Sequence, residues 1–337
     1  MKDNKKVFYW LIIGGLLIFT MVVVGGITRL THSGLSISNY KLISGTIPPM
    51  NQAEWEEAFA LYQQYPEYQK INNQFDLEDF KDIYFWEWLH RVLGRFIGVV
   101  FIIPFLYFLL RKQLTKATLK KCIVLLFLGG FQGFLGWYMV KSGLVDRPDV
   151  SHYRLALHLT TAFITFAYTF WVALDIRFPE KKEVQKKFRN LIRWGLVLLV
   201  IQIIWGAFVA GLDAGLTHNH WPLMNDGMLI HDSVTIEQDP VWKNFVEGKS
   251  GVQFVHRYLA YIVVGIIALI WFKSRKMSLD ILQKKGVNLL IGLVVVQFAL
   301  GVFTLLLRVP VWLGVLHQVT AFFLLATMTF TLHRFSK

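Results

Sequence analysis

The sequence predicts an all-α integral membrane protein, with eight transmembrane helices arranged as two parallel-repeat four-helix bundles. Hydrophobic residues make up 55% of the 337-residue chain, which is more than a soluble core of this size requires. Apolar runs of roughly 20 residues are long enough to cross a bilayer, and we identify eight of them. The second half of the chain also repeats motifs of the first half in the same order.

The eight apolar runs alternate with loops of opposite charge. We expect the transmembrane helices, in chain order, at 8–28, 85–110, 119–140, 152–175, 190–212, 251–272, 286–307 and 311–332. Basic residues cluster at both termini and in the loops 111–121, 177–193 and 273–285, whereas the long loops 29–84 and 213–250 are acidic. By the positive-inside rule, both termini lie in the cytoplasm. The net charge of +13 therefore reflects topology, and we predict a membrane-lipid environment and no nucleic-acid partner.

Three pairs of segments define the internal repeat. They are LHRVLGRFIGVV (89–100) with VHRYLAYIVVGI (255–266), GGFQGFLGWYMV (129–140) with VVVQFALGVFTL (294–305), and YRLALHLTTAFITFA (153–167) with WLGVLHQVTAFFLLA (312–326). Each half contributes an even number of spans, so both halves have the same orientation and are related by an axis along the membrane normal. We place the N-terminal four-helix half at 1–180 and the C-terminal four-helix half at 181–337.

The repeat brings four histidines to matched positions: His90, His158, His256 and His317. Each lies about five to seven residues from the outer end of its predicted span, or roughly 7–10 Å at the helical rise. Parallel helices with imidazoles at equal depth can hold a flat iron macrocycle between them. A lone membrane histidine is more often a packing residue, but four at matched depth favour iron ligands. We therefore predict two bis-histidine haem sites, with His90 and His158 in one half and His256 and His317 in the other.

Three arginines near these histidines are candidates for binding haem propionates: Arg91, Arg95 and Arg257. Charge-assisted contacts of this kind suit a buried anion, although the same arginines could instead extend to lipid headgroups. Gly94 and Gly98 would leave room for a ring or serve helix packing. The histidines without a repeat partner are expected at the surface or rim; they are His32, His152, His218, His220, His231 and His333.

Four motifs resemble the haem A synthase family, Cox15/CtaA, and the resemblance extends over nearly all of the chain. They are GGITRLTHSGLS (25–36), IPPMNQAEW (47–55), YPEYQKIN (65–72) and FWEWLHRVLGR (85–95). Some bacterial members of the family carry cysteine pairs in the outer loops. This chain has a single cysteine, Cys122, and is therefore closer to the mitochondrial-type branch. The bacterial plasma membrane is expected because the sequence shows no transit-peptide pattern.

The resemblance implies an oxidoreductase that acts on a CH group. Its substrate would be haem O, delivered by haem O synthase, and the C8 methyl group would become a formyl group to give haem A for cytochrome c oxidase. The family's catalytic glutamate corresponds to Glu87. The N-terminal half would then bind the substrate through His90 and His158, and the C-terminal half would hold a haem b cofactor. The electron-transfer partner is not identified by the sequence.

The repeat independently distinguishes the two halves. Glu87 lies three residues before His90, on the same helix face, and its counterpart is Gln253. A buried carboxylate beside a haem edge can exchange protons during methyl oxidation, and a glutamine cannot. Arg95 likewise corresponds to Tyr261, so the first half is the more polar.

Two other functions would explain a pair of haem sites. A diheme b-type electron-transfer cytochrome needs no carboxylate in either pocket, which argues against it. A haem carrier would need broken helices near the midplane, and Pro104 is the one such signal that we find in a span. Gly14-Gly15 and Gly25-Gly26 could pack against a partner helix in a homo-oligomer or within the chain.

Overall fold

The computed structural model describes residues 4–37, 44–144, 148–179, 185–225 and 227–335. Its α-helices are α1 (Asn4–Leu30), α2 (Gln52–Tyr62), α3 (Pro66–Lys70), α4 (Leu77–Leu110), α5 (Lys116–Val140), α6 (His152–Arg177), α7 (Lys186–Gly211), α8 (Ser233–Ile236), α9 (Lys249–Ser274), α10 (Ile281–Leu306) and α11 (Val311–Arg334). The structure is 77% helical. Among the described residues, eight helices are long and apolar enough to cross a membrane. The predicted all-α, multi-pass membrane fold is confirmed.

Helix α4 begins earlier than the apolar run that predicted it. The Asp76 side chain accepts hydrogen bonds from the backbone N–H groups of Glu78 (2.9 Å) and Asp79 (3.0 Å). The Asp79 side chain in turn accepts from the Asp76 backbone N–H. This capping box satisfies the free N–H groups of the first turn and starts the helix at Leu77. His90 consequently lies further along its helix than we predicted, because hydropathy could not detect the polar first turns.

The long helices pack as two similar groups, called here the first half (α1, α4, α5 and α6) and the second half (α7, α9, α10 and α11). In the first half, α1 and α5 each pack against α4 and α6. In the second half, α7 and α10 each pack against α9 and α11. The halves meet where α6 packs on α7 and α11, and where α1 packs on α11. The contacts of one half thus have counterparts in the other, as the sequence repeat requires.

Aromatic side chains fill the interface between the halves at mid-membrane depth. Phe322 of α11 packs against Phe166 and Phe163 of α6, with ring centroids 4.0 Å and 5.5 Å apart. The added Cβ of an alanine at Gly15 would lie 3.5 Å from Phe166. Gly15 of α1 therefore packs within the chain, one of the two roles that the sequence left open for it.

Polar contacts join the halves at both ends of the bundle. At the end of the bundle where α1 terminates, the Arg29 guanidinium contacts the Asp213 carboxylate (3.0 Å) and donates to the Ala210 carbonyl (2.6 Å). At the opposite end, Asp175 of α6 contacts His333 of α11 at 3.0 Å and Lys121 of α5 at 2.5 Å. His333 is 1% exposed, so the prediction that it lies at the surface is wrong. Its burial is compensated by the carboxylate that it contacts.

The segment between α1 and α4, called here the α1–α4 segment, has an apolar core of its own. Tyr62 of α2 stacks on Phe80 of α4 with ring centroids 5.1 Å apart. The Tyr62 hydroxyl donates to Glu67 (3.1 Å) and accepts from Asn72 (2.9 Å). Burial, reinforced by the neighbouring Glu87 carboxylate, raises the pKa of Glu67 from 4.5 to about 8. The α1–α4 segment therefore buries a carboxyl group that stays protonated at neutral pH.

Candidate haem sites

Each of the four repeated histidines packs against a glycine of a neighbouring helix. The pairs are His90 with Gly25, His158 with Gly136, His256 with Gly206, and His317 with Gly301. A Cβ atom added to these glycines would lie only 2.9–3.4 Å from the histidine Cε1 atom. The absence of a side chain at these four points lets the imidazoles lie close to the neighbouring backbone. This contact between a glycine and a histidine ring, called here a cradle, thus occurs four times.

The second half passes a geometric test for iron binding. The ring centroids of His256 and His317 are 6.5 Å apart, and their planes are nearly perpendicular at 80°. Two imidazoles that both bind one iron through bonds of about 2 Å would have their ring centroids roughly 6 Å apart. The spacing of His256 and His317 therefore fits both residues as ligands of a single haem iron.

Two glutamines contact the histidine rings of the second half. The Gln202 side-chain amide lies 3.1 Å from His256 Nδ1 and also donates to the His256 carbonyl at 2.9 Å. The Gln297 amide lies 3.2 Å from His317 Nδ1 and 3.3 Å from His317 Nε2. Second-sphere groups of this kind orient imidazole ligands, so both rings of the second half are held in place.

The histidines of the first half are held less firmly. Gln132, the repeat counterpart of Gln297, donates to the His158 backbone carbonyl at 3.1 Å. The Nδ1 atoms of His90 and His158 are fully buried, and neither has a hydrogen-bond partner among the described residues. Buried polar atoms normally have a partner. The first half therefore contains two imidazoles whose Nδ1 atoms lack a fixed partner among the described residues.

Glu87 lies about one turn before His90 on α4 and makes several polar contacts. It is 3% exposed, and its Oε2 accepts from the Ser36 hydroxyl (2.8 Å) and the Ile37 backbone N–H (2.7 Å). Its Oε1 accepts from Arg91 at 2.5 Å, and Arg91 also donates to the Ile37 carbonyl at 2.6 Å. The pair joins α4 to the segment that follows α1. Arg91, predicted to bind a propionate, thus also neutralises the buried Glu87 carboxylate.

The corresponding residues of the second half hold a loop by hydrogen bonds to its backbone carbonyls. The Gln253 amide donates to the carbonyls of Ala214 (2.9 Å) and His218 (3.3 Å), and Arg257 donates to the His220 carbonyl. Arg257 is 9% exposed, and its Nε and Nη1 groups are buried without a hydrogen-bond partner among the described residues. Those N–H groups suit a propionate, as predicted for Arg257.

Other predicted residues lie in varied surroundings. Arg95 is half-buried on α4. Its counterpart Tyr261 accepts a hydrogen bond from Trp221 at 3.0 Å. His218 is 3% exposed and contacts the Ser250 hydroxyl at 2.9 Å, so the prediction that it lies at the surface is wrong. Burial lowers the pKa of His218. His32 and His220 are exposed, as expected.

Sequence reasoning missed three residues of these sites. Ser36 lies in a quoted motif, but nothing in the sequence connected it to Glu87. Gln297 was visible as an exact repeat match of Gln132, and that signal could have marked it. Gln202 has no polar counterpart, and its contact with His256 follows from the packing of α7 on α9.

Comparison with known proteins gives one consistent family. The COX15-CtaA family, described as cytochrome oxidase assembly protein, matches residues 8–329. The chain is 61% identical to a haem A synthase of Flavobacterium psychrophilum, with both chains covered in full. It is 60% identical to a haem A synthase of Flavobacterium johnsoniae, over 100% of this chain and 99% of the relative. A haem A synthase of Nitrosospira multiformis is 42% identical over 98% of this chain and 93% of its own. The resemblance drawn from the motifs is confirmed, and the chain belongs to the COX15-CtaA family of cytochrome oxidase assembly proteins.

Proposed function

We propose that this protein is a haem A synthase, which oxidises the C8 methyl group of haem O through a hydroxymethyl stage to a formyl group. The observation that carries the proposal is a site with two histidines that occurs once in each half of the chain. The chain is also similar over its full length to haem A synthases. Haem O synthase would supply the substrate in the same membrane, and the product would serve cytochrome c oxidase. Both termini would lie in the cytoplasm of a bacterial cell.

The second half is the proposed cofactor site. His256 and His317 would ligate haem b, and Gln202 and Gln297 would fix the orientation of their rings. The unpartnered N–H groups of Arg257 would bind a propionate. Haem b, when bound, supplies redox chemistry that protein side chains lack. The rigid hydrogen-bonded setting of this half suits a group that stays bound through many turnovers.

The first half is the proposed substrate site. His90 and His158 would ligate the haem O iron, and the two arginines Arg91 and Arg95 would face its propionates. Glu87 is the proposed catalytic residue. Its carboxylate, paired with Arg91 and held by Ser36, is placed to accept a proton released as the methyl group is oxidised. The imidazoles have no fixed Nδ1 partner, which suits a ligand that must enter and leave.

A diheme electron-transfer cytochrome is the alternative. It would keep a haem in both halves and would gain nothing from a buried ion pair in one of them. The difference between Glu87 and Gln253 therefore favours the enzyme.

Haem extraction tests the proposal directly. Membranes that contain the protein and are supplied with haem O should yield haem A or its hydroxymethyl precursor by chromatography. His256→Ala should remove the tightly held b-type spectrum from purified protein. His90→Ala should keep that spectrum and lose product. Equal loss of resting haem in both variants would contradict the division of roles, and two stable haems without product would support the cytochrome.

A further inference from the structure

A chain of hydrogen bonds leads from a buried histidine to an exposed carboxylate in the loop between α7 and α9. His218 is 3% exposed, and Ser250, near the start of α9, is fully buried. The His218 Nε2 atom lies 2.9 Å from the Ser250 hydroxyl oxygen. The Ser250 hydroxyl donates in turn to the Glu237 carboxylate, and Glu237 is exposed. The chain therefore connects a buried titratable group to the exposed surface.

Two further residues of the same loop hold this chain in place. The Ser233 hydroxyl donates to the Ser250 hydroxyl oxygen at 2.8 Å, and it contacts His231 Nδ1 at 2.7 Å. The Ser250 backbone N–H also donates to the Glu237 carboxylate, at 3.2 Å. Both ends of the Ser250 hydroxyl contact are thus fixed. Histidine is the side chain that most readily carries protons near neutral pH, so the arrangement is suited to proton transfer.

The buried end of the chain lies beside the residues that flank His256. Gln253 and Arg257 lie on either side of His256 in α9. The Gln253 amide donates to the His218 carbonyl at 3.3 Å, and Arg257 donates to the His220 carbonyl. Arg257 is also the residue proposed to bind a propionate of the second-half haem. His218 therefore lies next to the proposed cofactor site without being part of it.

The charged groups that face His218 belong to its own loop and to α9. Burial has the largest effect and lowers the pKa of His218; the neighbouring His231 and Arg257 lower it further. The Asn225 side chain and the Glu237 carboxylate raise it. Proton binding at His218 thus depends on the charge of the second-half site as well as on its own loop.

A change in the charge of the haem would change the proton affinity of His218. Transfer of an electron from the haem to a one-electron acceptor adds one positive charge to its site, and a positive charge disfavours a protonated histidine nearby. We propose, on the basis of the proposed function, that His218 binds a proton while the second-half haem is reduced and releases it through Ser250 to Glu237 when the haem is oxidised.

The proposed transfer moves one proton along two hydrogen bonds. The protonated His218 Nε2 gives its proton to the Ser250 hydroxyl oxygen, and the original Ser250 hydroxyl proton passes to the Glu237 carboxylate. His218 is then neutral, Ser250 is again a hydroxyl, and Glu237 is protonated. Because Glu237 is exposed, it passes the proton to water.

Redox titration of purified protein that contains haem b tests this inference. The midpoint potential of the b-type spectrum is measured with mediators across the pH range in which histidines titrate. One proton bound per electron changes the redox ratio tenfold per pH unit, which corresponds to about 59 mV. The wild-type potential should fall with rising pH by up to about this amount per unit. Because burial lowers the pKa of His218 from 6.5, the fall should begin on the acid side of pH 6.5.

Two variants and a matched control assign the proton to this chain. His218→Gln keeps a side chain that can reach Ser250 but cannot bind a proton, so the potential should lose most of its pH dependence. Glu237→Gln removes a carboxylate that raises the pKa of His218, so the sloping range should move to lower pH. His220→Gln is the control, because His220 is an exposed histidine of the same loop that contacts Asn225 instead of the chain. The control should titrate as the wild type does.

The outcomes separate this inference from the proposed function. An unchanged slope in His218→Gln, or a wild-type potential that does not vary with pH, would overturn the inference. If His218→Gln does not accumulate, Glu237→Gln carries the test, and a sloping range that does not move would overturn it. Absence of a b-type haem that depends on His256 would instead overturn the proposed cofactor site. Loss of the slope in His218→Gln but not in His220→Gln would support both.

Discussion

Replacement of Glu87 by glutamine tests the chemistry of the first half most directly. Both Ser36 and Ile37 donate to the same carboxylate oxygen, Oε2. A glutamine whose amide oxygen takes that place keeps these two hydrogen bonds. It loses the ion pair with Arg91, which retains its contact with the Ile37 carbonyl. Gln253 holds a loop in the same position of the second half, so the variant should fold.

The expected loss of activity is large because Glu87 is a buried carboxylate on the same helix face as His90. General acid–base groups contribute roughly 10²–10⁴-fold. Breaking a buried ion pair costs about 3–5 kcal/mol in stability, which would appear as a lower yield of folded protein. Haem b content per protein separates the two effects. We expect normal haem b, accumulation of haem O, and a fall in haem A formation of at least about a hundredfold.

Ser36→Ala is the control for a role of the Glu87 contacts in position alone. It removes one hydrogen bond to the carboxylate but keeps the charge and the Arg91 contact. A hydrogen bond to a charged group contributes about 1.5–3 kcal/mol, so this variant should lose stability and keep most of its turnover. Turnover by Glu87→Gln within about tenfold of the wild type, at normal haem b content, would exclude Glu87 from the proton chemistry.

Three further predictions concern topology, pH and the cradles. A reporter fused after residue 337 should be active in the cytoplasm and one inserted within 55–75 should be active outside; the reverse pattern would place the histidines near the wrong membrane face. Folded Glu67 keeps its proton to about pH 8, whereas the unfolded chain releases it near pH 4.5; stability linked to this proton is therefore complete at low pH and falls as pH rises toward 8. Proteolysis of the α1–α4 segment should accelerate between pH 5 and pH 8, and a Glu67→Gln protein that keeps this pH dependence would contradict the assignment. Gly206→Val would bring a side chain within about 3 Å of the His256 ring, so the purified variant should lose its b-type spectrum, and full retention would argue against the cradle.

The sequence alone determined the helices and singled out the four repeated histidines. A transmembrane helix is encoded locally, because roughly 20 consecutive apolar residues are sufficient to define it. The four histidines could be matched because the repeat aligns their positions in the two halves. This alignment does not require the distances between them. The start of α4 was missed for the same local reason, since Asp76 caps polar turns that carry no hydropathy signal.

Tertiary structure alone decided which side chains surround those histidines. Ser36 and Glu87 are far apart in the sequence, and no periodicity links them. Gln202 contacts His256 only because α7 packs on α9. Burial of His218 and His333 depends on distant partners, Ser250 and Asp175. A buried polar group is stable only where a partner compensates its lost hydration, and that partner is supplied by the packing of helices rather than by neighbours in the chain.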